Sequence, residues 1–311
     1  MPPLLRLGLV VPSTTRPDAT PSRLFEHVLD IAAAAETSGF DGLFALDAPG
    51  RTAGGLEAYT LLGGLAVRTR TARLGALGAS IDVRGPSILV KQVTALDVLS
   101  AGRAVLGAGV TGWIGAAPGH PRQAALSERR ERLTEGLEVC RALLAGTAAS
   151  VDGRWFRLAG GVNHPSPLQR GGVPVMVTSV IEDDLAVVAR YADACVLAGP
   201  IGHVQSMIHA LGRHCAELGR DPADVTPLHT TPLVIGQSSG EIEQRLAAAD
   251  QEMGAPDGQW LARAVVGRPD EVVTRLTALL DAGVQGLVVH MPGADPEAVT
   301  LAGTVLRDAF G

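Results

Sequence analysis

Short apolar runs alternate along the chain with longer segments whose apolar residues recur every three or four positions. The first run, "LRLGLVV" at 5–11, is brief, rich in Leu and Val, and closed by Pro12; it predicts a buried strand. From Ser22 the apolar positions Leu24, Phe25, Val28, Ile31 and Ala35 trace one helical face, ended by Gly39. The beat repeats, with strands over 41–47, 72–80 and 103–109 alternating with helices over 57–69, 86–99 and 127–144. Then it breaks. "VDGRWFRL" at 151–158 sets Asp-Gly between alternating apolar residues, which predicts a small hairpin, and a Gly/Pro-rich loop follows. Strands resume at 174–180, 193–199, 228–236 and 286–292, with helices over 182–191, 202–218, 240–252, 269–282 and about 296–310.

Eight strands of parallel-sheet character, each followed by a helix, predict a (β/α)8 TIM barrel. No linker or low-complexity segment divides the chain, so residues 1–311 are expected to form one domain with an insertion at about 147–173, between the fourth and fifth strands. Chemistry in such a barrel gathers at the C-terminal strand ends, and the residues there become the candidates.

Composition changes this picture in three ways. Aromatic residues make up only 3% against 46% hydrophobic overall, so the cores must be built of Ala, Val, Leu and Ile. A net charge of −6 without any basic run argues against a nucleic-acid or acidic-membrane surface. Cys140, Cys195 and Cys215 each lie among apolar residues outside any C-x-x-C pair, as buried thiols in a reducing compartment do. The apolar start is too short for a signal peptide, and no run reaches the ~18 residues of a membrane span, so a soluble, cytoplasmic protein is expected. Lys91 is the sole lysine, and with abundant Ala and Gly this suggests GC-rich coding.

"GAGVTG" at 107–112 has the G-x-G-x-x-G spacing of a dinucleotide fingerprint. The fingerprint requires a helix to begin inside it, but "WIGAAPGHP" follows, which is a loop, and no acidic residue ends a second strand about 20 residues on. Glycines at a barrel strand end have another use, letting a flat ring approach the backbone. "GQSSG" at 236–240 matches a nucleophile elbow, with Asp281 and His290 following; equally, Ser238 can cap a helix whose Glu241 closes a capping box.

The histidines show no metal-ligand spacing, and no metal is expected; His203, His209 and His214 read as an exposed helix flank. His120, His164, His229 and His290 fall in or near rim loops or strand ends, and His290, at the end of the last strand, is the best placed. Asp47 ends the second strand, either as a ligand-facing carboxylate or as a turn residue ahead of Pro49. Thr178, Ser179 and Val180 end the fifth strand, where Glu182, Asp183 and Asp184 would repel a phosphate.

"AAAAETSGFDGLFALD" (32–47), "LVKQVTALDVLSAGRAVLGAG" (89–109), "ERRERLTEGLEVCRALL" (128–144), "PSPLQRGGVPVMV" (165–177) and "GRPDEVVTRLTALLDAGVQGLVV" (267–289) together resemble the bacterial luciferase-like oxidoreductases, especially those using the deazaflavin F420. "LDVLSAGR" is the most specific stretch. The resemblance implies a flavin or F420 at the rim, with Asp47, Ser80, Ile81, Gly107, Gly109, Val110, Thr178, Ser179 and Val180 around its ring. It also implies a bulged peptide at Ser80–Ile81 and a homodimer. At the site the chain departs from the family pattern. Asp47-Ala48 replaces Asp-His, Val110-Thr111-Gly112-Trp113 replaces Gly-Trp-Asn, and Thr178-Ser179-Val180-Ile181 replaces a glycine run.

The expected activity is that of an F420-dependent or FMN-dependent oxidoreductase or monooxygenase. It would act on a small organic substrate, in secondary metabolism, with Asp47 and His120 or His290 nearest the reacting ring. The alternative is a barrel without cofactor, repurposed as a cyclase, lyase or small-molecule binder.

Overall fold

A computed structural model describes residues 3–12, 20–47, 55–109, 125–178, 180–253 and 260–310. Strand β1 (Leu7–Val11) leads through helix α1 (Pro21–Ser38) to β2 (Gly42–Leu46), and α2 (Ala58–Ala66) leads to β3 (Arg73–Leu77). A one-turn α3 (Ile81–Arg84) and the longer α4 (Pro86–Leu99) precede β4 (Ala104–Gly109). After α5 (Leu126–Leu144) come the hairpin strands β5 (Ala149–Asp152) and β6 (Arg157–Gly161). The repeat then resumes with β7 (Val175–Thr178), α6 (Leu185–Tyr191), β8 (Ala194–Leu197), α7 (Ile201–Glu217) and β9 (Thr226–Ile235). Helix α8 (Ser239–Met253), β10 (Val265–Gly267), α9 (Pro269–Asp281), β11 (Gly286–His290) and α10 (Pro296–Phe310) complete the order.

The eight strands expected from periodicity pair in parallel as β1-β2-β3-β4-β7-β8-β9-β11, and β11 returns to β1, closing a (β/α)8 TIM barrel. Continuous apolar strands follow from burial on both faces. Leu7, Leu9 and Val11 face the surrounding helices, while Val10 faces the interior with Phe44, Leu77, Val105, Met176, Val196 and Val288. Phe44, fully buried, sits on a floor of glycines. A Cβ at Gly8 or Gly42 would lie 2.8 Å from its ring, and one at Gly75 3.3 Å. This aromatic blocks the lower barrel, so open space begins above it.

The run "LDVLSAGR" is a clamp at the foot of the barrel, away from the strand C-termini. Asp97, fully buried, accepts hydrogen bonds from the backbone N–H of Leu168 (2.7 Å) and Gln169 (3.2 Å) and from Gln169 Nε2 (2.7 Å). Ala101 (φ 56°) and Gly102 (φ 86°) turn the chain through the left-handed region. The Arg103 guanidinium then donates to the carbonyls of Ala66 (2.9 Å), Thr69 (3.1 Å) and Ala72 (2.6 Å) and to Thr69 Oγ1 (2.9 Å), closing the open end of α2.

Several expectations are corrected in detail. The hairpin is joined by four residues, since Asp152 faces Arg157, and Glu135 of α5 holds its tip by accepting from the N–H groups of Arg154, Trp155 and Phe156. The helix expected at 182–191 begins as a 3-10 turn over Glu182–Asp184. Strand β10, absent from the periodicity reading, extends the sheet beside the far end of β9. Helix α8 buries Ala249 alone. It sits against the turn after β11, where a Cβ on Gly293 (φ 67°) would come within 2.5 Å of Ala248 backbone. Among the described residues no helix is long and apolar enough to cross a membrane.

Candidate active site at the barrel mouth

Above the Phe44 layer the strand ends enclose a cavity of about 420 Å³, within the ~300–1,000 Å³ typical of small-molecule sites. Val10, Leu46, Leu77 and Val196 give it apolar walls, and Asp47, Thr178, Thr230 and His290 supply polar groups. Of the residues expected around a ring, Asp47, Thr178, Val180 and His290 line it. His120, Val110 and Ser179 lie outside the described residues.

Asp47 is held by a partner that sequence reasoning missed. Arg84, at the end of α3, donates through Nη1 to Asp47 Oδ2 and through Nη2 to Asp47 Oδ1 (2.9 Å) and Glu57 Oε1 (2.7 Å). The Asp47 and Arg84 side chains are only 3% and 9% exposed, so this two-pronged bond is largely withdrawn from water. Burial pushes the Asp47 carboxyl above the usual carboxylate value, with Arg84 pulling against it. Burial works against the Arg84 charge, yet the bonds to Asp47 and Glu57 raise it. The guanidinium carbon lies 5.4 Å from the Tyr59 ring centroid, whose buried hydroxyl has no hydrogen-bond partner among the described residues. A lone arginine just after the third strand is the only sequence signal for this clamp.

Four other expected residues do not line the cavity. Ser80 offers its backbone N–H to Asp47, and Ile81 packs against α5 so closely that position 136 must be glycine. The irregular residue at this strand end is Gly78 (φ 74°), which does line the cavity. The bareness of Gly107 and Gly109 is accounted for inside the protein. A Cβ on Gly107 would collide with the Ala76 carbonyl, and one on Gly109 would lie 2.8 Å from Thr178 Oγ1. These glycines are demanded by strand packing within the protein.

At the other side of the mouth His290 ends β11, with Nε2 3.8 Å from Glu252 Oε1 of α8. The Glu252 carboxylate also accepts from Gly293 N (2.6 Å), which ties α8 to the rim. Sequence reasoning assigned α8 to the barrel wall and so missed Glu252. His203 also reaches the cavity, from the exposed first turn of α7. His229 is on the outer face of β9. Its Nε2 donates to the Gly199 carbonyl (3.1 Å), and burial lowers its pKa against the pull of that bond. His164, on the segment after β6, gives its carbonyl to Lys91.

The acidic turn before α6 is partly neutralised, because Arg130 bonds Asp184 (2.9 Å) and Asp183 (3.0 Å). Ser238 accepts from Glu241 N (3.3 Å) while Glu241 accepts from Gln237 N (3.0 Å), the cap arrangement. Asp281, at the far end of α9, belongs to the opposite end of the barrel from Ser238.

Comparison with known proteins agrees with this architecture. The model of the luciferase-like monooxygenase family matches residues 5–253. The chain belongs to that family. An F420-dependent glucose-6-phosphate dehydrogenase of Nocardia farcinica is 27% identical, with 86% of this chain and 89% of that protein aligned. Among solved structures, monooxygenase RslO1 from Streptomyces bottropensis superposes with a TM-score of 0.85 at 20% identity, covering 99% of this chain and 100% of that one. The F420-dependent tetrahydromethanopterin reductase of Methanopyrus kandleri gives 0.78 at 18% identity, covering 99% of each chain. In this luciferase-like chain the carboxylate of the expected Asp-His position is spoken for by Arg84, and a histidine stands at β11 instead.

Proposed function

We propose that this luciferase-like chain is an F420-dependent oxidoreductase, with FMN as the alternative cofactor, acting on a small organic substrate. The observation that carries this reading is the apolar cavity at the mouth, bordered by the Asp47–Arg84 pair and by His290. The flat head of such a cofactor suits the volume and the walls of Val10, Leu77 and Val196, with Thr178 and Asp47 at its polar edge. When bound, the cofactor would supply two-electron chemistry, as hydride transfer or oxygen activation. The chain's own part is positional: Arg84 fixes the Asp47 carboxylate, and His290 stands where a proton can pass to or from a substrate oxygen.

Titrating F420 and FMN separately into purified protein, followed by cofactor fluorescence, tests the reading. Saturable binding of F420 is expected. Failure of both to bind would overturn it in favour of a cofactor-free cyclase, lyase or binding protein, a reading supported by Val180 and Ile181, whose side chains border the cavity. A homodimer belongs to the same proposal, supported by the exposed Ile88, Val98 and Leu99 on or beside one face of α4. A cytoplasmic setting is supported by three free, buried cysteines. Secondary metabolism is supported by a phthiodiolone dimycocerosates ketoreductase of Mycobacterium kansasii, 27% identical over 67% of this chain.

A further inference from the structure

Two glycines in the left-handed region, Gly78 (φ 74°) and Gly85 (φ 70°), bracket the one-turn helix α3. Four residues do not hold a helix by their own hydrogen bonds, so the place of α3 is set by what it touches. On one side it grips the carboxylate at the mouth: the Ser80 backbone N–H and both prongs of the Arg84 guanidinium bond Asp47. On the other side it leans on α5. Ile81, 2% exposed, fills a notch at Gly136, where a Cβ would lie 2.3 Å from Ile81 Cγ2 and 3.3 Å from its Cβ. One turn earlier on α5, Arg132 Nη1 stands 3.7 Å from Asp82 Oδ1. The Arg132 guanidinium is itself braced, its carbon 4.2 Å from the ring centroid of Trp155 in the insertion hairpin. Trp155 is tied back to α5, donating its backbone N–H to Glu135 (2.7 Å) and its Nε1 to Glu131 (3.3 Å).

A glycine inside a helix is less stable than an alanine, and the atoms nearest to where a side chain at 136 would begin all belong to Ile81. We propose that Gly136 and Arg132 are positioning residues: by seating α3 they aim the Asp47 carboxylate, so that α5 and the insertion hairpin tune the mouth from outside the barrel. Asp47 is fixed to the barrel by its N–H bond to the Leu77 carbonyl (2.9 Å) and does not follow α3. A displaced α3 therefore lengthens at least one of the bonds it gives to that carboxylate. The proposal rests on the reading above only in giving Asp47 a chemical role at the mouth.

The experiment titrates Asp47 in the purified full chain by carbon NMR of labelled aspartate, the resonance being assigned by its loss in Asp47→Asn. The charged side chains acting on Asp47 are Arg84 and, more weakly, Glu57, so its midpoint reads the Arg84 bond. Gly136→Ala is expected to raise that midpoint by about one pH unit, a tenfold gain in proton affinity. Adding Ile81→Ala, which empties the notch, should reverse most of that gain. Arg132→Met, which introduces no clash, tests the second tie and should raise proton affinity about twofold. Asp41 is the control, a carboxylate at the foot of β2 that accepts from the N–H groups of Arg6 (2.8 Å) and Leu7 (2.9 Å). Its midpoint should stay fixed in every variant, whereas a general loosening of the barrel would move both.

An Asp47 midpoint unchanged in Gly136→Ala and Arg132→Met, or one that moves together with that of Asp41, would overturn the proposal. The cofactor reading fails separately. If Asp47 shifts alone and neither F420 nor FMN binds the wild type, that reading falls and the seating of α3 stands; F420 binding beside an unmoved Asp47 does the reverse.

Discussion

Replacing Arg84 by methionine keeps an unbranched side chain of similar length but removes the cation from a bond that is almost dry. In the native protein Asp47 receives both of its charged hydrogen bonds from this guanidinium, with side chains 3% and 9% exposed. Taking away one partner of such a pair costs about 3–5 kcal/mol, because the other charge stays buried. Glu57, 46% exposed, adds little to that sum. The loss should appear in urea unfolding at neutral pH as a lower midpoint with an unchanged slope. Its pH dependence is diagnostic. Burial already holds the Asp47 carboxyl above its ordinary value of 3.8, and removing Arg84 raises it further. A carboxyl raised in the folded state favours the protonated form, so the deficit against the wild type is full above the variant's folded value and fades as pH falls through it toward the wild type's. Adding Asp47→Asn to the variant should recover most of the loss at neutral pH, since no buried charge then lacks a partner. The reasoning fails if Arg84→Met unfolds like the wild type at pH 7, or if its deficit is the same in acid.

Four further expectations can be checked, three of them by the same unfolding measurement. Arg103→Ala should cost about 3 kcal/mol by freeing the carbonyls at the end of α2, and Arg103→Lys should restore only a minor part, because one ammonium cannot span four acceptors. Burial pushes the Glu36 carboxyl up, but the N–H groups of Ala72, Thr71 and Arg70 outweigh it and hold the group below 4.5. Its contribution is therefore full above that value and lost as pH falls through the lowered one. Glu36→Gln should be about 1 kcal/mol less stable at pH 7 and equal to the wild type in strong acid, discounting for solvent screening; an equal gap at both would refute this. Ser238→Ala should cost about 1 kcal/mol as a lost helix cap. A fluorophosphonate should leave the wild type unlabelled, and labelling at Ser238 would restore the nucleophile-elbow reading of "GQSSG".

The barrel was legible because its strands are buried on two faces and its helices on one, and both conditions write themselves as local periodicity. All eight barrel strands and most helices stand where the pattern put them. What escaped detection was tertiary. Arg84 lies 37 residues from Asp47, and nothing local links them. Helix α8 carries the same sort of stripe as a wall helix, so its seat over the rim, and with it Glu252, came only from the placement of Gly293. Gly107 and Gly109 show the opposite limit: their spacing was conspicuous, but the atoms that need their bareness are Ala76 and Thr178, on neighbouring strands.

The Phe44 floor has a consequence for how this barrel can change over generations. One ring from β2 fills the volume that side chains on β1 and β2 would otherwise occupy, so Phe44, Gly8 and Gly42 behave as a single character, while Gly75 answers first to the Val105 carbonyl, 2.9 Å from where its Cβ would lie. A methyl added at Gly8 or Gly42 meets the ring, and shrinking the ring opens a void beside both. Drift at these three positions is therefore locked together, whereas the mouth above them can be rebuilt one residue at a time. The floor makes the lower barrel slow to change and leaves specificity free to evolve.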